Sequence, residues 1–245
     1  MSTAPLFLLD ALPADGVADI ELRGEEGHHA ARVRRLGVGE AVVLGDGRGT
    51  RLACSVEEVL PDGLRLAVLE RTAEAAPEPR LVVVQALPKG DRAERAVEVL
   101  TELGVDEIVP WSALRCVVQW SGSRGARAHA KWVATAREAA KQSRRSWLPV
   151  VAPLATTAAV ATRLAAGTGL VLHESAASPL VAAPVPDAGE VVVVVGPEGG
   201  ITAGELDVFA AAGANAVRLG TPVLRTSTAG AAALAVLSAR SGRWN

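Results

Sequence analysis

Two loops near the C-terminus hold the residue types best suited to a ligand site. The first is Gly196-Pro197-Glu198-Gly199-Gly200; the second runs from Leu219-Gly220-Thr221-Pro222 through Val223-Leu224-Arg225-Thr226 to Ser227-Thr228-Ala229-Gly230. Each follows a short apolar run that reads as a strand, Val191 to Val195 and Ala216 to Leu219, and each leads into an alanine-rich helix. Loops at the carboxyl ends of strands are where an α/β sheet builds its ligand sites. A further strand, Leu170 to His173, ends at Leu172-His173-Glu174, so three strand exits converge on one ligand in this reading.

Neither loop fits a common nucleotide signature. The first lacks the G-x-G-x-x-G spacing, and neither holds the G-K-[ST] of a phosphate loop. What the glycines offer instead is close approach of backbone N–H and C=O groups, which suits recognition of an adenine edge and a ribose. S-adenosylmethionine is such a ligand. Arg225 sits between apolar neighbours, where it makes either a structural ion pair or a fork of donors for an anion. Glu198 either caps a helix terminus or faces the ligand.

The elements that must position these residues follow from the rest of the chain. Its 245 residues are 49% hydrophobic, enough for a packed core in one large or two smaller domains. No apolar run approaches the ~18 residues of a membrane span, and the N-terminal MSTAPLFLLDALPADG lacks a basic region ahead of its apolar stretch. A cytoplasmic protein without membrane association is expected. Cys54 and Cys116 stand far apart with no C-x-x-C or metal-like histidine spacing, so neither a disulfide framework nor a metal is expected.

The segment 73–79, Ala-Glu-Ala-Ala-Pro-Glu-Pro, has two prolines and no apolar periodicity, and is the expected linker. Its bounds are set at 74–79, with a first domain at 1–73 and a second at 80–245. The first domain shows short strand-like runs at 6–9, 18–22, 41–44, 52–60 and 64–69, with turn signals at Gly45-Asp46-Gly47 and Pro61-Asp62-Gly63. These predict a small β-barrel with one helix from Glu25 to Leu36. In the second domain strands and helices alternate. Strands are predicted at 81–87, 107–110, 170–173, 191–195 and 216–219. Helices are predicted over the segment carrying Ala93, Ala96, Val97, Leu100 and Leu103, and at 131–145, 157–166, 203–212 and 226–240. Thr202 and Glu205 form the pattern of a capping box, placing one helix start at Ala203. The order predicts an α/β domain with a mainly parallel sheet.

The total charge of −2 conceals an asymmetry, because residues 111–150 hold eight basic side chains against the single acid Glu138. That stretch is either a phosphate-binding footprint or a solvated face. At ~100° per residue, a helix from Lys131 puts Arg137, Lys141, Arg144 and Arg145 on one arc, with Trp132, Val133, Ala136 and Ala140 opposite.

G-P-E-G-G-I, followed about twenty residues later by L-G-x-x-x-L-R-T-x-T-A, resembles the ribosomal RNA small subunit methyltransferase E family. Further matching segments are His28-His29 with Arg32-Val33-Arg34-Arg35, Leu103-Gly104-Val105 to Pro110, Lys131-Trp132, and Ala140-Lys141-Gln142-Ser143-Arg144-Arg145. The resemblance implies an α/β trefoil-knotted SPOUT methyltransferase domain preceded by a small PUA-like β-barrel that binds RNA. It also implies a homodimer that uses S-adenosyl-L-methionine to methylate N3 of a uridine near the 3′ end of 16S rRNA, free or in the small ribosomal subunit. Leu172, His173, Glu174, Gly196, Pro197, Gly199, Gly200, Ile201, Leu219, Gly220, Leu224, Thr228 and Ala229 would bind the cofactor. Arg32, Arg34, Arg35, Arg115, Arg137, Lys141, Arg144 and Arg145 would contact RNA. Uracil N3 is protonated at neutral pH, so the reaction needs a base and a partner for the charge that develops on the ring. Glu198 as base and Arg225 as that partner are the catalytic candidates, with His173 a competing base. The family often has glutamate where this chain has Ser227. A ribose 2′-O-methyltransferase of the same class, and a non-catalytic RNA-binding or assembly factor, are the alternatives.

Overall fold

Alternating apolar residues turn the first part of the chain into strands. A computed structural model describes residues 4–90 and 92–244, and divides the chain into one unit made of residues up to Ala76 with Ala140–Leu148, and a second made of Pro77–Ala139 with Pro149 onward. The first unit holds β1 (Leu6–Leu8), β2 (Asp19–Leu22), β3 (Ala41–Gly45), β4 (Thr50–Leu60) and β5 (Gly63–Ala73) in the sheet order β1-β3-β4-β5-β2. β3, β4 and β5 run antiparallel in sequence, and β1 joins the edge parallel to β3. Leu52, Cys54 and Val56 alternate inward on β4 and meet Phe7, Leu22, Leu44, Leu64 and Leu66. The helix expected at 25–36 is shorter and changes pitch: α1 (Gly24–His28) continues as a π-helical turn from His29 to Val33. Gly27 lets that turn lie on β2, since a Cβ there would sit 2.3 Å from the Leu22 carbonyl oxygen.

In the second unit β6 (Arg80–Ala86), α2 (Arg92–Glu102), β7 (Glu107–Trp111), α3 (Gly122–Gln142) and β8 (Val150–Val151) come first. They are followed by α4 (Thr157–Ala166), β9 (Thr168–Leu172), β10 (Ser178–Pro179), β11 (Glu190–Val195), α5 (Ala203–Ala211), β12 (Asn215–Arg218) and α6 (Thr226–Arg240). The seven strands are ordered β10-β12-β9-β11-β6-β7-β8 and every pairing is parallel. Helices cover both faces of such a sheet, which is why β11 is an unbroken run of valines and Val191–Val195 are fully buried. α6 packs on β6 and β11 and against α2, with Gly230 admitting Leu100, Val195 and Val83.

The helix at 131–145 needs correction. α3 starts nine residues earlier, at Gly122, and stops at Gln142. Arg144 takes the left-handed conformation at φ 55°, its N–H donates to the Lys141 carbonyl, and the Arg145 N–H reaches back to Ala140. That pair of bonds is a Schellman end, with arginine where glycine is usual. Arg144 and Arg145 therefore lie beyond the helix and the four-residue basic arc does not form. On the opposite face Trp132, Ala136 and Ala140 are buried as expected, while Val133 is exposed.

The sequence puts residues 140–148 in the second domain, whereas the structure gives them to the first unit. The Lys141 ammonium pairs with Glu26 at 2.8 Å, the Trp147 indole N–H donates to the Glu74 carbonyl at 3.0 Å, and the Gly49 N–H donates to Ser146. Lys141 retains only 10% side-chain exposure. Its predicted role as an open RNA contact gives way to an internal ion pair.

Candidate functional site

The carboxyl ends of β6, β7, β9, β11 and β12 lead into loops that surround a cavity of about 600 Å³. This is where the order of a parallel sheet reverses, since the chain leaves β6 toward β7 and β8 and returns on the far side of β11.

β11 delivers Val195 and then Gly196, whose carbonyl accepts the Thr226 hydroxyl at the start of α6. The two loops are thus tied to each other. A Cβ on Gly196 would lie 2.7 Å from Ile201 Cγ1, so the loop folds back tightly on itself. The Gly200 N–H closes a turn on the Pro197 carbonyl at 2.9 Å, with Gly200 at φ 75°. α5 then begins with the expected capping box: Thr202 Oγ1 accepts the Glu205 N–H, and Glu205 Oε2 accepts the Thr202 N–H at 3.0 Å.

Glu205 does more than cap. Its Oε1 accepts the Leu114 N–H at 2.8 Å and the Thr157 hydroxyl at 3.4 Å, joining the loop after β7 to the loop after β11. Burial pushes this carboxyl up, but the bonds from Leu114, Thr202 and Thr157 outweigh it and hold the group below the ordinary 4.5. The same β7 loop carries Arg115, which donates from Nη1 to the Gly199 carbonyl at 3.1 Å.

β9 and β12 bring the third wall. The His173 N–H donates to the Val217 carbonyl at 2.9 Å. His173 Nδ1 accepts from the Ser175 N–H at 3.3 Å and lies 3.1 Å from the Ser175 hydroxyl. A ring nitrogen that accepts a backbone N–H has no proton of its own, so the neutral ring carries its proton on Nε2. That tautomer makes His173 a donor at Nε2 and disfavours it as a base there. Arg218 donates to the carbonyls of Ala176 and Ala177 at 2.6 and 2.7 Å, fastening the loop after β9 to the end of β12.

All but one of the residues expected to bind a cofactor line this cavity: Leu172, His173, Glu174, Gly196, Pro197, Gly199, Gly200, Ile201, Leu219, Gly220, Leu224 and Ala229. Thr228 does not; it is exposed and its hydroxyl turns back to the Arg225 carbonyl at 3.1 Å. Both catalytic candidates, Glu198 and Arg225, are on the wall and exposed, and Glu198 Oε1 accepts the Lys89 N–H at 3.1 Å. Arg115, read from the sequence as part of a basic stretch, is drawn into the same cavity. Sequence reasoning missed Arg92, Arg218 and Thr226. For Arg92 a signal existed, because the helix that follows any strand of a parallel sheet starts on the edge where the other strand exits open.

Arg32, Arg34 and Arg35 are exposed on the first unit, with the Arg32 guanidinium bonded to the Pro61 carbonyl at 2.7 Å. Arg144 is also exposed, while Arg137 and Arg145 are half-buried. Cys54 and Cys116 are free and buried, and among the described residues no cluster of three or more His, Cys, Asp or Glu could hold a metal ion.

The cavity fits a nucleoside-sized cofactor. Its volume falls in the ~300–1,000 Å³ range of sites that enclose such molecules. Val195, Ile201, Leu219 and Leu224 give apolar wall, and the glycines give backbone. No side chain among the described residues caps the α6 N-terminus, leaving its first N–H groups for a ligand or water.

Comparison with known proteins gives a consistent picture. A family described as RNA methyltransferase domain matches residues 76–238, and one described as RNA methyltransferase PUA domain matches residues 22–69. The chain is 45% identical over 247 residues to Ribosomal RNA small subunit methyltransferase E of Mycobacterium bovis, covering 99% of this chain and 94% of that one. It is 29% identical to the protein of that name in Bacillus subtilis, with 89% and 88% covered. Among solved structures, Ribosomal RNA small subunit methyltransferase E of Neisseria gonorrhoeae bound to S-adenosyl methionine superposes with a TM-score of 0.87 at 27% identity, covering 97% and 98%. A methyltransferase of Legionella pneumophila in complex with bound cofactor SAM gives 0.83 at 26% identity, covering 97% and 98%.

Proposed function

Since the chain belongs to the ribosomal RNA small subunit methyltransferase E family, we propose that it methylates N3 of a uridine near the 3′ end of 16S rRNA, using S-adenosyl-L-methionine bound in the cavity described above. The observation that carries this reading is that twelve of the thirteen residues assigned to the cofactor line one cavity together with Glu198 and Arg225. When bound, the cofactor supplies an activated methyl group on a sulfonium.

Leu172, Ile201, Leu219 and Leu224 enclose the adenosine, and the backbone of Gly196 to Gly200 and of Gly220 reads its polar edges. Glu198 takes the proton from uracil N3, using the oxygen that the Lys89 N–H leaves open. Arg225 meets the charge that then spreads onto the uracil carbonyl oxygens, for which a planar fork of donors is suited. Among the described residues Arg225 makes no ion pair or side-chain hydrogen bond, so its donors are available for that purpose. His173, with its proton on Nε2, orients rather than deprotonates. Arg32, Arg34, Arg35, Arg137, Arg144 and Arg145 contribute phosphate contacts.

In this reading the second domain is a trefoil-knotted SPOUT domain that follows a PUA-like barrel in the chain, with a linker at 74–79. The seven-stranded parallel sheet and the tie between the loops after β11 and β12 are in keeping with it. The protein acts in the cytoplasm as a homodimer. Val223 on the cavity wall is 77% exposed, an apolar surface suited to a second copy, and no helix among the described residues is long and apolar enough to cross a membrane. Incubating the protein with methyl-labelled cofactor and small subunits from a strain lacking this activity tests the proposal. Label in 16S rRNA is expected, and unlabelled RNA despite cofactor binding would leave an assembly factor instead.

A further inference from the structure

We propose that Arg92 and Arg115 form a subsite for a backbone phosphate of the RNA beside the reacting nucleotide, an inference that rests on the methyl-transfer reading of this cavity. Four arginines line it, Arg92, Arg115, Arg218 and Arg225, against two carboxylates, Glu174 and Glu198. The cofactor does not balance that charge, because it brings a sulfonium and an ammonium with only one carboxylate. An anion must come from the other substrate.

The chain shows what its structural arginines look like. At the amino ends of the same strands Arg80 and Arg163 are locked to Glu107 and Glu190, and Arg243 is locked to Asp106. Arg218 also serves structure, with Nη1 held by two carbonyls. Arg92 differs, since it is exposed and makes no ion pair or hydrogen bond with any described residue. Arg115 spends Nη1 on Gly199 and keeps its remaining donors. Neither Glu174 nor Glu198 pairs with them; Glu198 receives the Lys89 N–H. Two exposed donor forks, one at the start of α2 and one on the loop after β7, suit a phosphodiester, which guanidinium groups hold through paired hydrogen bonds. Arg225, on the loop after β12, remains for the base.

The test measures binding of a ten-nucleotide oligouridylate across a salt series, for wild type, Arg92→Gln with Arg115→Gln, and Arg92→Lys with Arg115→Lys. Each phosphate of single-stranded RNA that is no longer neutralised lowers the slope of log affinity against log salt by ~0.7, so losing this one phosphate contact in the glutamine pair is expected to flatten it by about 0.7. Affinity at low salt should fall on the order of tenfold, with the lysine pair restoring the slope. Calorimetry should show that all three proteins still bind the cofactor, which also reports that they are folded. An unchanged slope in the glutamine pair overturns the subsite. So does tight binding of inorganic phosphate alone at matched ionic strength, which would make this a free-anion site. Wild-type protein that binds RNA but no cofactor would instead sink the underlying reading of the cavity.

Discussion

Replacing Glu205 with glutamine should loosen the site without touching any group that meets substrate. The carboxylate takes four bonds: Oε2 from the Thr202 N–H and hydroxyl, Oε1 from the Leu114 N–H and the Thr157 hydroxyl. Glutamine keeps one acceptor oxygen. Threonine hydroxyls can turn to accept from its amide, but the N–H of Leu114 or of Thr202 is left facing another donor. Leaving such a donor unpaired, together with the loss of charge assistance, costs about 2–3 kcal/mol. At ~2–4 °C per kcal/mol this lowers the melting temperature by roughly 4–12 °C. The effect carries a pH signature. Because the folded carboxyl lies below 4.5, its contribution to stability is present above that pH and fades as the pH falls through the folded value. Scanning calorimetry of both proteins at neutral and acid pH should show the gap closing in acid. Equal melting at neutral pH, or a gap that widens in acid, would refute the assignment of Glu205 as the ionised clasp between the two loops.

Arg225→Lys should retain cofactor affinity and lose single-turnover methylation by on the order of 3 kcal/mol in the transition state, as for a lost oxyanion donor; rates near wild type would remove it from the chemical step. Gly196→Ala places a Cβ 2.7 Å from Ile201 Cγ1 and should cost ~1–3 kcal/mol while weakening cofactor binding, read by calorimetry and melting. Burial pushes the Cys54 thiol up to about 11, so Ellman's reagent at mildly alkaline pH should react slowly with native protein and quickly once it is unfolded.

The positions of α4 and α6 and the capped start of α5 were legible because local signals suffice there: apolar spacing, and a threonine three residues before a glutamate. So were β6 and β11, whose valine runs mark a sheet buried on both faces. The early start of α3 was not. Its first turns hold Gly122 and Gly125, poor helix formers, and Gly125 is chosen by the close approach of Trp120. The place of residues 140–148 depends on partners far away in sequence, Glu26 and Glu74, which no periodicity reveals. For the site, the loops named their own residues, but Arg92 and Arg218 entered through topology. Thr228 lies off the cavity wall because the helical turn carries its side chain back to the Arg225 carbonyl while its motif neighbours face the cavity.

The most direct measurement is nucleoside mass spectrometry of 16S rRNA after incubation of undermethylated small subunits with this protein and S-adenosylmethionine. One new 3-methyluridine near the 3′ end is expected, and none with the Arg225→Lys protein. A ribose 2′-O-methyl nucleoside, or RNA unchanged by a protein that binds the cofactor, would contradict it.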